Sequence, residues 1–333
     1  MKFITHHKAN PTRKSPGYHK QRGFTMAEKI KKMPKVTEYY CDEDQFSPGN
    51  ACCPGCIMEL NLRLVSKIMG RDTILLGTPG CSAPTIHGQN DKAWHRHSYY
   101  ACVMTGVASS ASGLSRYYKK AGIDATIVCH TGDGCAQDIG LQTISGAAER
   151  NENVIYICYD NEGYMNTGVQ RSSATPYGAS TSTTPAGAKS IGKTTAAKNM
   201  PMIMSMHDIP YVATATLSHL EDYAKKLTKA KEKVKEGFVY LHVFCPCTTG
   251  WKVPQDASIQ VCRAAVQTNY FPLWEVENGT YRITQPVSKQ KPIAEMLKLI
   301  GKFKHLGEED VAVLQQQSDK RFSVLKALCD MDA

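Results

Sequence analysis

Four short β-branched runs constrain this chain more than any other feature, because each ends abruptly on residues that strands avoid. Residues 73–76 run into Gly77-Thr78-Pro79-Gly80-Cys81, and 125–129 into His130-Thr131-Gly132-Asp133-Gly134. Residues 154–159 run into Asp160-Asn161, and 238–244 into Cys245-Pro246-Cys247. A fifth run, 211–215, has no such ending. Between them lie segments of helical character. Ile57, Leu60, Leu64, Val65 and Ile68 open a helix directly after Cys56, while 100–120, 139–150, the neighbourhood of 202–207 and 220–235 read as four more. Strand and helix alternate, so an α/β fold is expected, a mostly parallel twisted sheet flanked by helices. Open parallel sheets place ligands beyond the carboxyl ends of their strands. Motifs far apart in sequence are therefore expected to meet along one edge.

The net charge of +10 suggests nucleic acid until it is divided along the chain. Residues 1–40 hold ten of the 40 Lys and Arg but only two of the 30 Asp and Glu, which leaves the remainder close to neutral. A basic face for nucleic acid is not expected. Residues 1–40 read as a basic, solvated N-terminal extension, within which Met26 is a second candidate initiator, and 41–333 as the folded domain with a C-terminal extension. No run approaches the roughly 20 apolar residues of a membrane span, and the basic start carries no apolar leader core. A cytoplasmic protein without a membrane span is expected. Thirteen cysteines then serve better as metal ligands and buried small hydrophobes than as disulfides.

Gly132-Asp133-Gly134 by itself is weak, since Gly-Asp-Gly is a common turn. Here it follows a strand and precedes a helix, and Asp160-Asn161 arrives after the next strand, which is the spacing of the thiamine-diphosphate signature. A diphosphate needs a hard cation such as Mg²⁺ held by oxygen atoms, and glycines that let backbone amides come close. Asp133 offers a carboxylate oxygen, Asn161 an amide oxygen and Gly163 a backbone carbonyl. The run Asp160-Asn161-Glu162-Gly163-Tyr164-Met165-Asn166-Thr167-Gly168-Val169-Gln170-Arg171-Ser172 resembles the 2-oxoacid:ferredoxin oxidoreductase family, in which an NTG-x-Q-x-S segment follows the metal ligand. The resemblance puts Asn166 and Thr167 at the cofactor, with Asn166 nearest its reactive ring and the substrate.

Cys53-Pro54-Gly55-Cys56, Cys81 within Gly80-Cys81-Ser82, and Cys247 before Gly250-Trp251 form a set of four. Their spacing alone suits a tetrahedral zinc as well as an iron–sulfur cluster. Their contexts are similar to those in the β-subunit of pyruvate:ferredoxin oxidoreductases, which implies a [4Fe–4S] cluster. Cys52 and Cys245 read as bystanders, and the other cysteines as packing residues.

The similarity extends over about 45–305, including Met206-His207-Asp208-Ile209-Pro210, Phe271-Pro272-Leu273-Trp274-Glu275 and Gly301-Lys302-Phe303-Lys304-His305. It implies CoA-dependent oxidative decarboxylation of a 2-oxoacid, pyruvate first, with electrons passing through the cluster to ferredoxin. It also implies a complex with α-, γ- and δ-type subunits, whose side chains supply the carboxylate that activates the cofactor and the arginine that clamps the substrate. Two features depart from the family's pattern. Ile57 stands where glycine usually follows the CxxC, and His87–His97 is rich in His and charge, suiting an interface loop or a more polar substrate such as oxalate; 2-oxoisovalerate and an aryl glyoxylate are further candidates. A non-redox thiamine decarboxylase or synthase would leave the cysteines unexplained, and a zinc-stabilised scaffold would leave the diphosphate motif unexplained.

Overall fold

The computed structural model describes residues 35–41, 45–46, 51–83 and 96–331. The basic stretch 1–34, with Met26, and most of His87–His97 lie outside the described residues. One eight-stranded sheet organises the chain. Its strands are β1 (Thr73–Gly77), β2 (Ser98–Ala101), β3 (Thr126–Gly132), β4 (Ile155–Asp160), β7 (Tyr211–Thr216), β8 (Val239–Phe244), β9 (Trp274–Glu277) and β10 (Thr280–Ile283), in the spatial order β10-β9-β7-β8-β4-β3-β1-β2. β5 (Ala186–Gly187) and β6 (Ser190–Ile191) form a separate small hairpin in the Ser/Thr-rich loop that leads to β7. All pairs from β2 across to β7 are parallel, and in this sheet β9 is the one reversed strand, antiparallel to both β7 and β10.

Alternation within the central strands explains why both faces are covered. Val128, Ile155, Ile157, Leu241 and Val243 enter one core, while Ile127, Cys129, Tyr156, Cys158 and Tyr240 enter the other. Side chains at i and i+2 share a face, so a strand apolar at every position is buried on both sides. On the first face lie α1 (Ile57–Met69), α5 (Leu220–Lys233) and α6 (Ser258–Gln267); on the second lie α2 (Val107–Ala121), α3 (Leu141–Glu149) and α4 (Met200–Ser205), while α8 (Glu308–Met331) gives Leu314 to the first core and Leu325 to the second. The remaining helix, α7 (Ala294–Leu297), is one turn long and packs with α6. Among the described residues no helix is long and apolar enough to cross a membrane.

Three departures from the expected elements have physical causes. The helix expected over 100–120 begins only at Val107, because Ser98–Ala101 adds a parallel edge strand to β1. β3 continues to Gly132 since His130, Thr131 and Gly132 pair with Ile157, Cys158 and Tyr159. Val36 is buried in the first core within a short 3-10 helix, Lys35–Tyr39, so the packed body already includes residues expected to belong to the extension.

Candidate active site

Parallel register brings the strand endings to one edge. β1, β3, β4 and β8 are neighbours, with Gly77 paired to His130, Gly132 to Tyr159 and Asp160 to Phe244. The turns that follow them carry Cys81, Asp133, Asn161 and Cys247. Asp133 opens into a π-helical turn, Gly134–Ile139, before α3 begins. Such turns are rare and concentrate at functional sites.

Asp133 is fully buried. Its carboxylate accepts hydrogen bonds from Ser172 Oγ at 2.6 Å and from the Asn161 backbone N–H at 3.2 Å, and no ion pair to it is found among the described residues. Burial, followed by the nearby Asp160 carboxylate, pushes its pKa well above the usual range. Asn161 brings a second oxygen. With its amide oxygen turned inward, that atom lies 3.0 Å from Asp133 Oδ1 and 2.9 Å from the Gly163 carbonyl oxygen. Three oxygen atoms of three residues thus face one another, an arrangement that repels unless a cation sits among them or the amide turns over. Carboxylate, amide and carbonyl oxygens are the donor set of a hard divalent ion, so these residues fit Mg²⁺.

A cleft opens beside these oxygens, lined by Gly80, Cys81, Gly132, Gly134, Asn161 and Gly163 together with Asn166 and Thr167 at the rim. Gly134 is required by proximity, since a Cβ there would stand 2.4 Å from the Tyr164 ring. Tyr164 OH donates to the Gly134 carbonyl at 3.0 Å and so holds the cleft wall. Val169, a β-branched residue at φ +65°, marks local strain in the loop bearing Asn166 and Thr167. Every residue expected at the diphosphate therefore lies at the same strand edge, Asp160 just behind it. Asp160 itself turns away to His242 Nε2 at 2.8 Å and borders a second pocket on the α8 side that contains none of the other expected residues.

The cysteines gather on the opposite flank of Asn161. The CxxC loop is pinned to the Cys247 loop, as Thr248 Oγ1 donates to the Pro54 carbonyl and Ser258 Oγ to the Gly55 carbonyl. Gly55 holds φ +73° with Gln255 so close that any Cβ would overlap it. Burial, then the charges of Cys247 and Cys56, pushes the Cys81 thiol up to about 12. Burial also raises Cys247, against the Gly250 N–H that donates to its sulfur at 3.1 Å. A hydrogen bond with Cys52, then burial, raises Cys56. Cys53 is exposed at the mouth. Cys52, read as a bystander, thus touches one of the four expected ligands, whereas Cys245 is buried against Asn61. Among the described residues no three such side chains close on a point that a single metal ion would fill.

Sequence reasoning did not single out what supports the metal loop. Glu162, at φ +60° between Asn161 and Gly163, is buried in an ion pair with Lys302 and accepts a hydrogen bond from Tyr270. Lys302 sits 3.6 Å above the Trp251 ring, whose Nε1 donates to the Asn161 carbonyl at 2.7 Å. A carboxylate standing between two expected cation ligands, Asn161 and Gly163, was the available signal; its partner Lys302 lies in a stretch that carries the family resemblance but nothing that ties it to this loop.

Known proteins resemble this chain over most of its length. The family described as "Thiamine pyrophosphate enzyme, C-terminal TPP binding domain" matches residues 79–243. The β subunit of NADH-dependent phenylglyoxylate dehydrogenase from Aromatoleum evansii is 45% identical over 83% of this chain, which spans 62% of that subunit. Pyruvate synthase subunit PorB of Methanothermobacter thermautotrophicus is 43% identical over 84% of this chain and 96% of its own length. Ketoisovalerate oxidoreductase subunit VorB of Pyrococcus furiosus is 42% identical over 87% and 94%. A solved 2-oxoglutarate:ferredoxin oxidoreductase from Magnetococcus marinus shares the fold, with a TM-score of 0.54 at 20% identity over 86% of this chain and 97% of that one.

Proposed function

The chain belongs to the PorB- and VorB-type subunits of the 2-oxoacid:ferredoxin oxidoreductases, and from that premise we propose that it holds thiamine diphosphate with Mg²⁺ and one [4Fe–4S] cluster for the oxidation of pyruvate. The observation that carries this reading is the position of the Asn161 terminal amide, one atom of which lies 3.0 Å from Asp133 Oδ1 and 2.9 Å from Gly163 O while the other lies 3.6 Å from Cys81 Sγ. The two halves of the site are one residue apart.

Asp133, Asn161 and the Gly163 carbonyl hold the cation. Backbone amides around Gly132 and Gly134 receive the diphosphate oxygens, since no side chain keeps them at a distance. Asn166 and Thr167, exposed at the rim, meet the reactive ring and the substrate. The bound cofactor supplies decarboxylation at the 2-carbonyl carbon and leaves two electrons to be removed. Cys53, Cys56, Cys81 and Cys247 place a one-electron acceptor beside it. Zinc has no redox chemistry and would give those electrons nowhere to go, so the redox reading requires the iron–sulfur cluster. Pyruvate is placed first, as the resemblance implies, while PorB and VorB relatives match the chain about equally well, over 94–97% of their own lengths. Partner subunits of the complex complete the site, ferredoxin takes the electrons and coenzyme A takes the acyl group, in the cytoplasm.

The test is an anaerobic assay of the assembled complex with coenzyme A and ferredoxin against pyruvate, 2-oxoisovalerate, 2-oxoglutarate, oxalate and phenylglyoxylate. CoA-dependent ferredoxin reduction fastest with pyruvate is expected. Carbon dioxide release without electron transfer would overturn the redox reading, and preference for another 2-oxoacid the substrate.

A further inference from the structure

Asn161 carries two chemically different faces on one terminal amide, and each is turned toward a different half of the site. Its backbone is fixed from both sides. The N–H donates to Asp133 Oδ1 at 3.2 Å, and the carbonyl accepts from the buried indole of Trp251 at 2.7 Å. What remains free is rotation about the last torsion, which exchanges the oxygen and the nitrogen.

The two orientations answer to different surroundings. If no cation lies among the oxygens, the amide gains by turning its NH₂ inward, donating to Asp133 Oδ1 at 3.0 Å and to Gly163 O at 2.9 Å. Its oxygen then faces the sulfur of Cys81. A cation reverses the preference, because the oxygen becomes a ligand and the NH₂ swings outward to Cys81 Sγ at 3.6 Å. No other side-chain donor to that sulfur is found among the described residues. The Tyr159 hydroxyl donates to Ser82 Oγ and accepts from Ser82 N–H instead. Hydrogen bonds to the sulfurs of an iron–sulfur cluster stabilise its more negative, reduced form and raise its potential. An oxygen dipole aimed at the same sulfur acts in the opposite sense.

We propose that Asn161 couples the two cofactors: filling of the cation and diphosphate site sets the direction of its amide, and the amide raises the reduction potential of the cluster held through Cys81. This rests on the cofactor reading above. The cluster becomes a better acceptor only when thiamine diphosphate is in place to deliver electrons. Asn161 is a positioning residue in this role as well as a ligand, and the carboxyl analogue keeps the ligand oxygen while removing the donor.

The experiment is an EPR-monitored redox titration of the assembled complex, with and without Mg²⁺ and thiamine diphosphate, for the wild type, Asn161→Asp and Asn161→Ser. The wild-type midpoint should rise when both are added. Variants that retain bound cofactor should titrate at a lower midpoint that no longer responds. In wild-type protein carrying ¹⁵N in asparagine side-chain amides, a ¹⁵N hyperfine coupling to the reduced cluster should appear only after Mg²⁺ and thiamine diphosphate are added, a reading that needs no variant. A coupling that is absent or unchanged, a wild-type midpoint indifferent to the cofactor, or variants that rise equally would each overturn the coupling while leaving both cofactors assigned. A wild-type complex with no reducible cluster would overturn the cluster assignment and this inference with it.

Discussion

Lys302→Met should destabilise the protein by about 3–5 kcal/mol, and the reason lies behind the metal loop rather than in it. Lys302 and Glu162 are 3% and 5% exposed, and burial lowers the pKa of the lysine and raises that of the glutamate. Each charge is disfavoured by its surroundings and retained by the other. Removing the ammonium leaves the carboxylate with the Tyr270 hydroxyl as its remaining side-chain partner and strips a cation from the Trp251 face. Breaking one side of a buried pair costs about 3–5 kcal/mol, whereas replacing both charges by neutral groups of similar size is far milder. The double variant Lys302→Met with Glu162→Gln should therefore recover at least half of the loss. Glu162 is flanked by Asn161 and Gly163, and Trp251 holds the Asn161 carbonyl, so the single variant should also weaken thiamine-diphosphate binding about tenfold or more, equivalent to ~1.4 kcal/mol. Urea unfolding and cofactor titration of the full-length chain in its complex measure both effects. A single variant within about 1 kcal/mol of wild type, or a double variant no more stable than the single, would refute the reasoning.

Other perturbations address the site itself. Asp133→Ala should abolish retention of thiamine diphosphate while leaving bound iron unchanged, measured as cofactor and iron per chain; retained cofactor would remove the cation assignment. Gly134→Ala places a methyl 2.4 Å from the Tyr164 ring, and overpacking of that kind costs about 1–3 kcal/mol, so cofactor affinity should fall about tenfold or more with Gly134→Ala. His130 is held neutral by burial, its pKa lowered to about 3 from an ordinary value of 6.5. Its contribution to stability is present above pH 6.5 and is lost as pH falls toward 3, since only the unfolded chain takes up the proton over that interval. His130→Gln should flatten the dependence of the urea midpoint on pH between 7 and 4, and an unchanged slope would place the acid sensitivity elsewhere.

The strands that build the site were legible because their chemistry is local. Residues 154–159 are apolar throughout and 238–244 are apolar but for His242, and Asp160 and Cys245 end them sharply. The same logic failed at Ser98–Ala101, which neither alternates nor ends on a motif; it is a strand because β1 offers it a free parallel edge. The β9–β10 hairpin carries a short-range signal, Asn278-Gly279 between two apolar runs, but Thr280–Ile283 is half exposed and reads weakly. Within the site, Asp133, Asn161 and the cysteines stand out by residue type. Lys302, Tyr270 and Trp251 do not, because their role depends on pairings across 90 to 140 positions that no local pattern records. The contact between Cys52 and Cys56 is likewise a product of how the loop is pinned at Pro54 and Gly55, not of the spacing.

The central claim is that one chain carries both the thiamine site and the cluster. Iron, acid-labile sulfide and zinc, measured on this subunit after anaerobic purification and separation of the complex, test it most directly. About four irons per chain are predicted, lost in Cys247→Ser and kept in Cys52→Ser. Iron confined to another subunit, a single zinc in its place, or equal loss in both variants would contradict the account.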